Sequence, residues 1–225
     1  MKKTPTATVE DYLGIIYTLQ RDGEEVIGAR LAEILQVSAP TVTVTLQRML
    51  RDGWVQADER KHITLTDAGY EAARSVIRRH MLTEWLLSRV LHIPLAELHE
   101  EAHKIEHTLS PQVEAQLAAS LQDPDVCPHG NPFPGQENAS AQWQPLTTFT
   151  PGSVAIIRRV HELLEEDHDK LSCLDQLGIQ PGAEVHINSI DEQHDFIEIV
   201  LNNQTTRLSF ETAQKLFAEL PPRDE

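Results

Sequence analysis

Histidines and carboxylates recur in this chain one helical turn apart. His80 and Glu84 are paired in this way, and His99, His103, Glu106 and His107 follow on the next predicted helix. Asp11 lies far upstream and a Cys127-Pro-His-Gly130 segment just downstream. At about 100° per residue, positions 99, 103, 106 and 107 fall on one helical stripe. Imidazoles and carboxylates on facing helices are the usual ligands of a borderline-hard divalent cation. A metal site is therefore the first expectation.

Other readings compete with it. His99-Glu100-Glu101-Ala102-His103 has the H-E-x-x-H form, in which two histidines hold zinc and the Glu acts as general base, so a zinc metallopeptidase is the alternative function. The surrounding histidines and carboxylates, however, supply more ligands than a catalytic zinc with one open position uses. The stripe could also be a solvated, charge-paired helix face. Asp11 has a second reading as part of a helix cap meeting the dipole. Cys127 and His129 offer two ligands at close spacing and read as a turn rather than a zinc site.

The elements that must position these groups begin with a helix. Thr8-Val-Glu-Asp11 has N-cap spacing, and Tyr12, Leu13, Ile16, Tyr17 and Leu19 give an apolar face ending near Arg21-Asp-Gly23. A second helix is expected from Ile27 to Gln36. Ser38 then caps a third with Pro40 in its first turn. Val42, Leu46, Met49 and Leu50 would face inward, leaving Thr41, Thr43, Val44, Gln47, Arg48 and Arg51 outward. Two short helices and a tight turn, the second presenting hydroxyls and arginines, form a helix-turn-helix pattern. Residues 54–66, β-prone at both ends around a charged tip, would form a hairpin wing.

Thr66-Asp67 opens a long helix reaching past Val90, Pro94 opens the helix bearing the His/Glu stripe, and Ser110-Pro111 opens another to about Leu121. Residues 123–151 are rich in Pro, Gly, Asn, Gln and Thr and read as a linker or long loop. Short β-prone runs at 153–158, 183–190, 196–201 and 205–210, with a terminal helix from Glu211, suggest a small β-barrel.

The 225 residues carry a net charge of −16, but residues 1–80 hold 11 Lys and Arg against 11 Asp and Glu. The whole deficit lies beyond His80, so an N-terminal DNA-binding module remains compatible with the acidic total. Two cysteines, Cys127 and Cys173, make no disulfide framework and suit a reducing compartment. No signal-peptide pattern or membrane-length apolar run is found, and a cytoplasmic location with no membrane partner is expected.

In this order the parts resemble the diphtheria toxin repressor and manganese transport regulator family. The resemblance rests on Thr8-Val-Glu-Asp-Tyr-Leu-Gly-Ile-Ile-Tyr17, Ser38-Ala-Pro-Thr-Val-Thr43, His80-Met-Leu-Thr-Glu84, Glu106-His-Thr-Leu-Ser110 and Cys127-Pro-His-Gly-Asn-Pro-Phe-Pro-Gly135. More loosely, Leu177-Gly-Ile-Gln-Pro-Gly-Ala-Glu-Val185 resembles the SH3-like domain of many members. The resemblance implies a mainly α fold with small β parts. Residues 1–70 would be a winged helix-turn-helix, 71–135 a helical dimerisation and metal-binding domain, 136–150 a linker and 151–225 an SH3-like domain.

It further implies a homodimer with two metal ions per subunit that binds palindromic operator DNA and represses metal-uptake genes. Carried over by position, the primary metal site would be Asp11, His103, Glu106 and His107. The ancillary site would be His80, Glu84 and His99, completed from the acidic run 165–169, with Asp167 favoured. DNA contacts would come from Ser38, Ala39, Pro40, Thr41, Thr43, Val44, Arg48 and Arg51, with Arg60 from the wing. Three positions depart from the pattern. Gly14 replaces a Glu of the two-domain manganese regulators, His103 stands where Cys or Glu is usual, and Val44 replaces a polar residue. An all-N/O primary site favours Mn2+ or Fe2+ over Cu+ or a structural zinc.

Overall fold

The computed structural model describes residues 4–222. The chain divides into two compact units, one running through His80 and including Glu106–Leu109, the other holding Met81–Ile105 and everything from Ser110 onward.

The first unit opens with α1 (Ala7–Arg21), whose residues Val9, Tyr12, Leu13, Ile15, Ile16, Tyr17 and Leu19 are buried. Thr6 is its N-cap residue, not Thr8, and its carbonyl accepts from the amides of Val9 and Glu10. The buried stripe already includes Val9, and the helix starts two residues before the Thr8 spacing suggests. Helix α2 (Gly28–Ile34) is short, and α3 (Ala39–Asp52) begins at Ser38, whose hydroxyl accepts from the Thr41 amide, with Pro40 in the first turn. Gly53 ends α3 at φ 81°, a left-handed conformation that suits glycine.

Val42, Thr45, Leu46 and Met49 anchor α3, while Thr41, Thr43 and Val44 are exposed. Leu50, expected inward, lies at the surface. Strands β1 (Val55–Ala57) and β2 (Ile63–Leu65) pair antiparallel as the expected hairpin. Trp54, Val55 and Ile63 hold it to the core. At its tip the Asp58 carboxylate accepts from the amides of Arg60 and His62 at 2.9 and 2.8 Å. Helix α4 (Asp67–Leu91) follows, and at Gly69 a Cβ would fall 1.9 Å from the Trp54 carbonyl oxygen. Only glycine lets the wing and α4 approach so closely.

The second unit holds the end of α4, nearly all of α5 (Leu95–Glu106) and α6 (Pro111–Ser120), where Leu87, Leu98 and Ala102 form a small cluster. It also holds a six-stranded antiparallel sheet in the order β3-β8-β4-β5-β6-β7. The strands are β3 (Gln144–Pro145), β4 (Val154–Val160), β5 (Glu184–Asp191), β6 (Phe196–Leu201), β7 (Gln204–Ser209) and β8 (Leu216–Glu219). Asn202 and Asn203, both at positive φ, make the two-residue turn between β6 and β7. Short helices α7 (Glu162–Glu165), α8 (His168–Leu177) and α9 (Phe210–Gln214) complete the unit.

Four strands lie where the β-prone runs placed them, but β3 and β8 were not anticipated. Segment 136–150, read as a linker, contributes β3 to the sheet and the fully buried Leu146 to its core. Its Gln-Pro-Thr composition hides this role, because a two-residue edge strand carries no alternation to detect. Among the described residues no helix is long and apolar enough to cross a membrane.

The tip of the wing gives a test in acid. Chiefly the His62 amide, with the Arg60 amide, holds the Asp58 carboxyl below its usual value. A depressed carboxyl pKa gives stability that is present above the ordinary value near 3.8 and lost as pH falls through the lower folded value. The amide resonances of Arg60 and His62 should therefore shift together with a midpoint below pH 3.8, and Asp58→Asn should abolish that transition.

Candidate metal centre

In the first unit, Asp11, Glu106 and His107 converge, with one ligand atom of each within 4.8 Å of the others. His107 Nε2 lies 3.2 Å from Asp11 Oδ1 and 3.4 Å from Glu106 Oε1. Asp11 is placed by α1, just beyond its first turn, while Glu106 ends α5 and His107 follows it directly. The Glu106 carboxylate is buried and also contacts Nδ1 of His80 through its other oxygen. His80 thus faces Glu106 within this unit. His103 stands one turn before Glu106 and His107 on α5 and is exposed.

The second unit holds a buried group. Glu84, His99 and Glu165 bring ligand atoms within 4.8 Å of one another, and Glu84, Cys127 and His129 do the same. His99 Nδ1 is 3.2 Å from Glu165, and His129 Nδ1 is 3.0 Å from Glu84 and 3.6 Å from Glu165. The opposite nitrogen of His129 donates to the Leu95 carbonyl at 3.0 Å, which turns Nδ1 toward the carboxylates. Burial works against charge on His129, yet Glu165 and Glu84 outweigh it and push its pKa up to about 9. Burial, then the same two carboxylates, pushes the Cys127 thiol well above its ordinary value.

The segment carrying Cys127 and His129 is held from both ends. Trp85 Nε1 donates to the Val126 carbonyl at 2.8 Å, and the Val160 amide donates to the His129 carbonyl at 2.8 Å. Gly130, at φ 88°, lies so close to β4 that a Cβ would stand 1.9 Å from the Arg158 carbonyl oxygen. A register shift in β4 between Ile157 and Arg159 breaks the alternation, so that Val160 joins Ala155 and Ile157 in the core while Arg159 beside it is buried as well. Its Nε donates to Asn131 Oδ1, and the Asn131 amide nitrogen donates to Glu165 Oε1 and to the Val160 carbonyl. Glu165 is thereby oriented by the loop and the sheet.

Asp167 does not join this group. Its carboxylate caps α8, accepting from the Lys170 amide at 3.1 Å and pairing with Lys170 Nζ at 3.2 Å. The carboxylates of the 165–169 run that face His99 are Glu165, at Nδ1, and Glu166, 3.5 Å from Nε2. A cap needs its acidic residue at the helix start, and α7 instead turns Glu165 inward. Cys127 and His129, read from sequence as a turn, belong with Glu84. The Cys127-Pro-His-Gly130 order was the available signal, but their partner Glu84 is distant in sequence.

On the reading head, Ser38, Ala39, Pro40, Thr41, Thr43, Val44, Arg51 and Arg60 are exposed, Val44 at 67%. The Thr43 hydroxyl donates to the Ala39 carbonyl, Arg48 to Thr6, and Arg51 pairs with Asp52. Glu100, the general base of the peptidase reading, instead pairs with Lys104 at 2.8 Å in solvent.

The donor chemistry of both groups fits a divalent cation. The first offers two carboxylates and an imidazole, and the second adds imidazoles, buried carboxylates and one thiol.

Three family models match the chain. They are described as the iron-dependent repressor N-terminal DNA-binding domain over residues 5–63, its metal-binding and dimerisation domain over 66–135, and the FeoA domain over 144–220. The iron-dependent repressor of Mycobacterium leprae is 34% identical over 223 residues, covering 94% of this chain and 96% of the relative. The diphtheria toxin repressor of Corynebacterium efficiens is 35% identical over 195 residues, covering 83% and 84%. The solved structure of a manganese-dependent transcriptional repressor in complex with manganese superposes with a TM-score of 0.81 at 28% identity, covering 95% of this chain and 100% of that one.

Gly130→Ala should cost about 2–4 kcal/mol, overpacking against β4 and left-handed strain acting together. Chemical denaturation of the metal-free protein measures it, and an unchanged midpoint would show that the loop does not pack on the strand as described.

Proposed function

From a chain that belongs to the family of iron- and manganese-dependent transcriptional repressors, we propose a regulator that binds palindromic operator DNA as a homodimer loaded with two divalent cations per subunit. The physiological ion is Mn2+ or Fe2+, the regulated genes serve metal uptake, and the protein works in the cytoplasm. The family is one of DNA-binding repressors rather than enzymes, and nothing supports a metallopeptidase built on His99 to His103.

The observation that carries this reading is the convergence of Asp11, Glu106 and His107. A divalent cation supplies there the positive charge that two neighbouring carboxylates and an imidazole are disposed to share, with His103 as the fourth ligand. Asp11 belongs to the first helix of the DNA-binding module, and Glu106 and His107 to the end of the stripe-bearing helix. Ligation by all three ties α1 to that helix end and reduces the freedom of the reading head. Two recognition helices of a dimer must lie about one or more DNA turns apart, so any such restriction couples ion concentration to DNA affinity.

Glu84, His99, His129, Cys127 and Glu165 form the second ligand group, with His80 toward Glu106. An all-N/O first set suits Mn2+ or Fe2+, whereas the thiol makes the second group softer and more receptive to Co2+ and Zn2+. On the DNA side, Arg48, Arg51 and Arg60 serve phosphates, and Ser38, Ala39, Pro40, Thr41 and Thr43 serve phosphates or base edges. Val44 meets a thymine methyl.

The test is anaerobic binding to palindromic promoter DNA titrated with Mn2+, Fe2+, Co2+ and Zn2+. Glu106→Ala and His107→Ala should each remove the metal stimulation, a coupling of about 5–150-fold in this class of linkage, while sedimentation still shows a folded dimer. Unchanged metal dependence in both variants would defeat the proposal. Cys127→Ser should erase the thiolate-to-cobalt absorption of the Co2+-loaded protein.

A further inference from the structure

We infer that Glu10, which is not itself one of the converging ligands, is a positioning residue that fixes which nitrogen of His107 faces the cation. The inference rests on the reading of Asp11, Glu106 and His107 as a metal site and concerns a residue that stands in the Thr8 to Tyr17 motif but was given no metal-site role from it. Glu10 precedes Asp11 on α1, and its two carboxylate oxygens have different partners. Oε2 accepts from His107 Nδ1 at 2.7 Å, and Oε1 accepts from Arg79 Nη2 at 2.7 Å. Arg79 reaches on through Nε to the Glu106 backbone carbonyl at 2.9 Å.

All four residues belong to the first unit, and the side chains of Glu10, Arg79 and His107 are only 12%, 13% and 18% exposed. Arg79 therefore joins Glu10 to the backbone of the very residue that precedes His107. The ring is gripped on its Nδ1 edge, and its Nε2 edge is left toward Asp11 and Glu106. A neutral imidazole has one N–H and one lone pair. A carboxylate can only accept, so Glu10 selects the form with hydrogen on Nδ1 and the lone pair on Nε2, the form able to ligate beside Asp11 and Glu106. An anionic partner on the far nitrogen also raises the basicity of the ligating one.

The arrangement divides two adjacent carboxylates by role. Asp11 shares the ligating edge of His107, whereas Glu10 holds the opposite edge and is itself anchored by a guanidinium. Helical geometry makes this possible, since neighbours on α1 diverge by about 100° and can grip one ring from two sides.

The experiment measures Mn2+ and Co2+ affinity by calorimetry on the full chain. It also records cadmium–nitrogen couplings in nitrogen-15 histidine-labelled, Cd2+-loaded protein. Wild type should show coupling to Nε2 of His107. Glu10→Ala should bind about 10–100-fold more weakly and lose the single Nε2 mode. Glu10→Gln, which keeps an acceptor and a partner for Arg79, should fall between the two and serves where the alanine variant does not fold. Asp11→Ala and Glu106→Ala are the reference. If they weaken binding while Glu10→Gln or Glu10→Ala keeps wild-type affinity and Nε2 coupling, the role of Glu10 is overturned and the metal site stands. If they too bind as wild type, the metal-site reading itself fails.

Discussion

Like charges held close together are what this structure is organised around. Asp11 and Glu106 approach within coordination distance in one unit, and Glu84 and Glu165 do so in the other, where both are buried. Two carboxylates about 4–5 Å apart repel by roughly 3–4 kcal/mol at an effective dielectric near 20. Neighbouring cations offset part of this cost in the metal-free chain. Arg79 neutralises Glu10 beside His107, and the raised pKa of His129 makes that ring a cation between Glu84 and Glu165. A single positive charge between two carboxylates leaves a net negative site, and a doubly charged ion compensates it more fully. The folded chain thus carries a standing preference for a divalent cation, and that preference links ion concentration to conformation.

What could be read in advance was whatever repeats locally. Histidine and glutamate one turn apart, Ser38 and Pro40 opening a helix and a charged hairpin tip are signals within a few residues, and each has its structural counterpart. Contacts between distant segments left no such trace. Cys127 and His129 gain meaning only when the loop is packed against Glu84, forty-odd residues earlier. In the acidic run, Glu165 and Asp167 look equivalent on paper, and the helix cap at Asp167 decides between them. Strand β8 escaped notice because its four residues follow a helix with almost no turn between them. Val160 joins Ala155 and Ile157 in the core because of a register shift, which periodicity cannot foresee.

The bulge in β4 has a consequence for the buried ligand group. The shift pairs Arg159 with Phe217 and Val160 with Leu216, so Val160 takes the core position and the Arg159 guanidinium supplies the donor that sets the Asn131 amide. With Arg159 inside, lying 4.7 Å from the Phe217 ring and bonded to Glu162, the amide oxygen of Asn131 is committed to it and the amide nitrogen to Glu165. A carboxylate that must ligate cannot be left to sample rotamers, because each loses affinity. The sheet therefore contributes order to Glu165 through an asparagine rather than by touching it directly. Under the proposed function, this gives the C-terminal part of the chain a physical role in metal binding.

Charge distribution points the same way as the ligand geometry. Neutral residues 1–80 give the reading head no general attraction to the DNA backbone, and the deficit of 16 charges beyond them opposes it. Non-specific affinity is then intrinsically low and falls further with salt. Under those conditions tight binding depends on both recognition helices fitting the groove together, since a single loosely held head gains little from phosphate contacts alone. A protein that sticks to any DNA would respond weakly to a change in geometry. One that is nearly repelled responds strongly, and so an acidic body would sharpen the proposed dependence of operator binding on a cation at Asp11, Glu106 and His107.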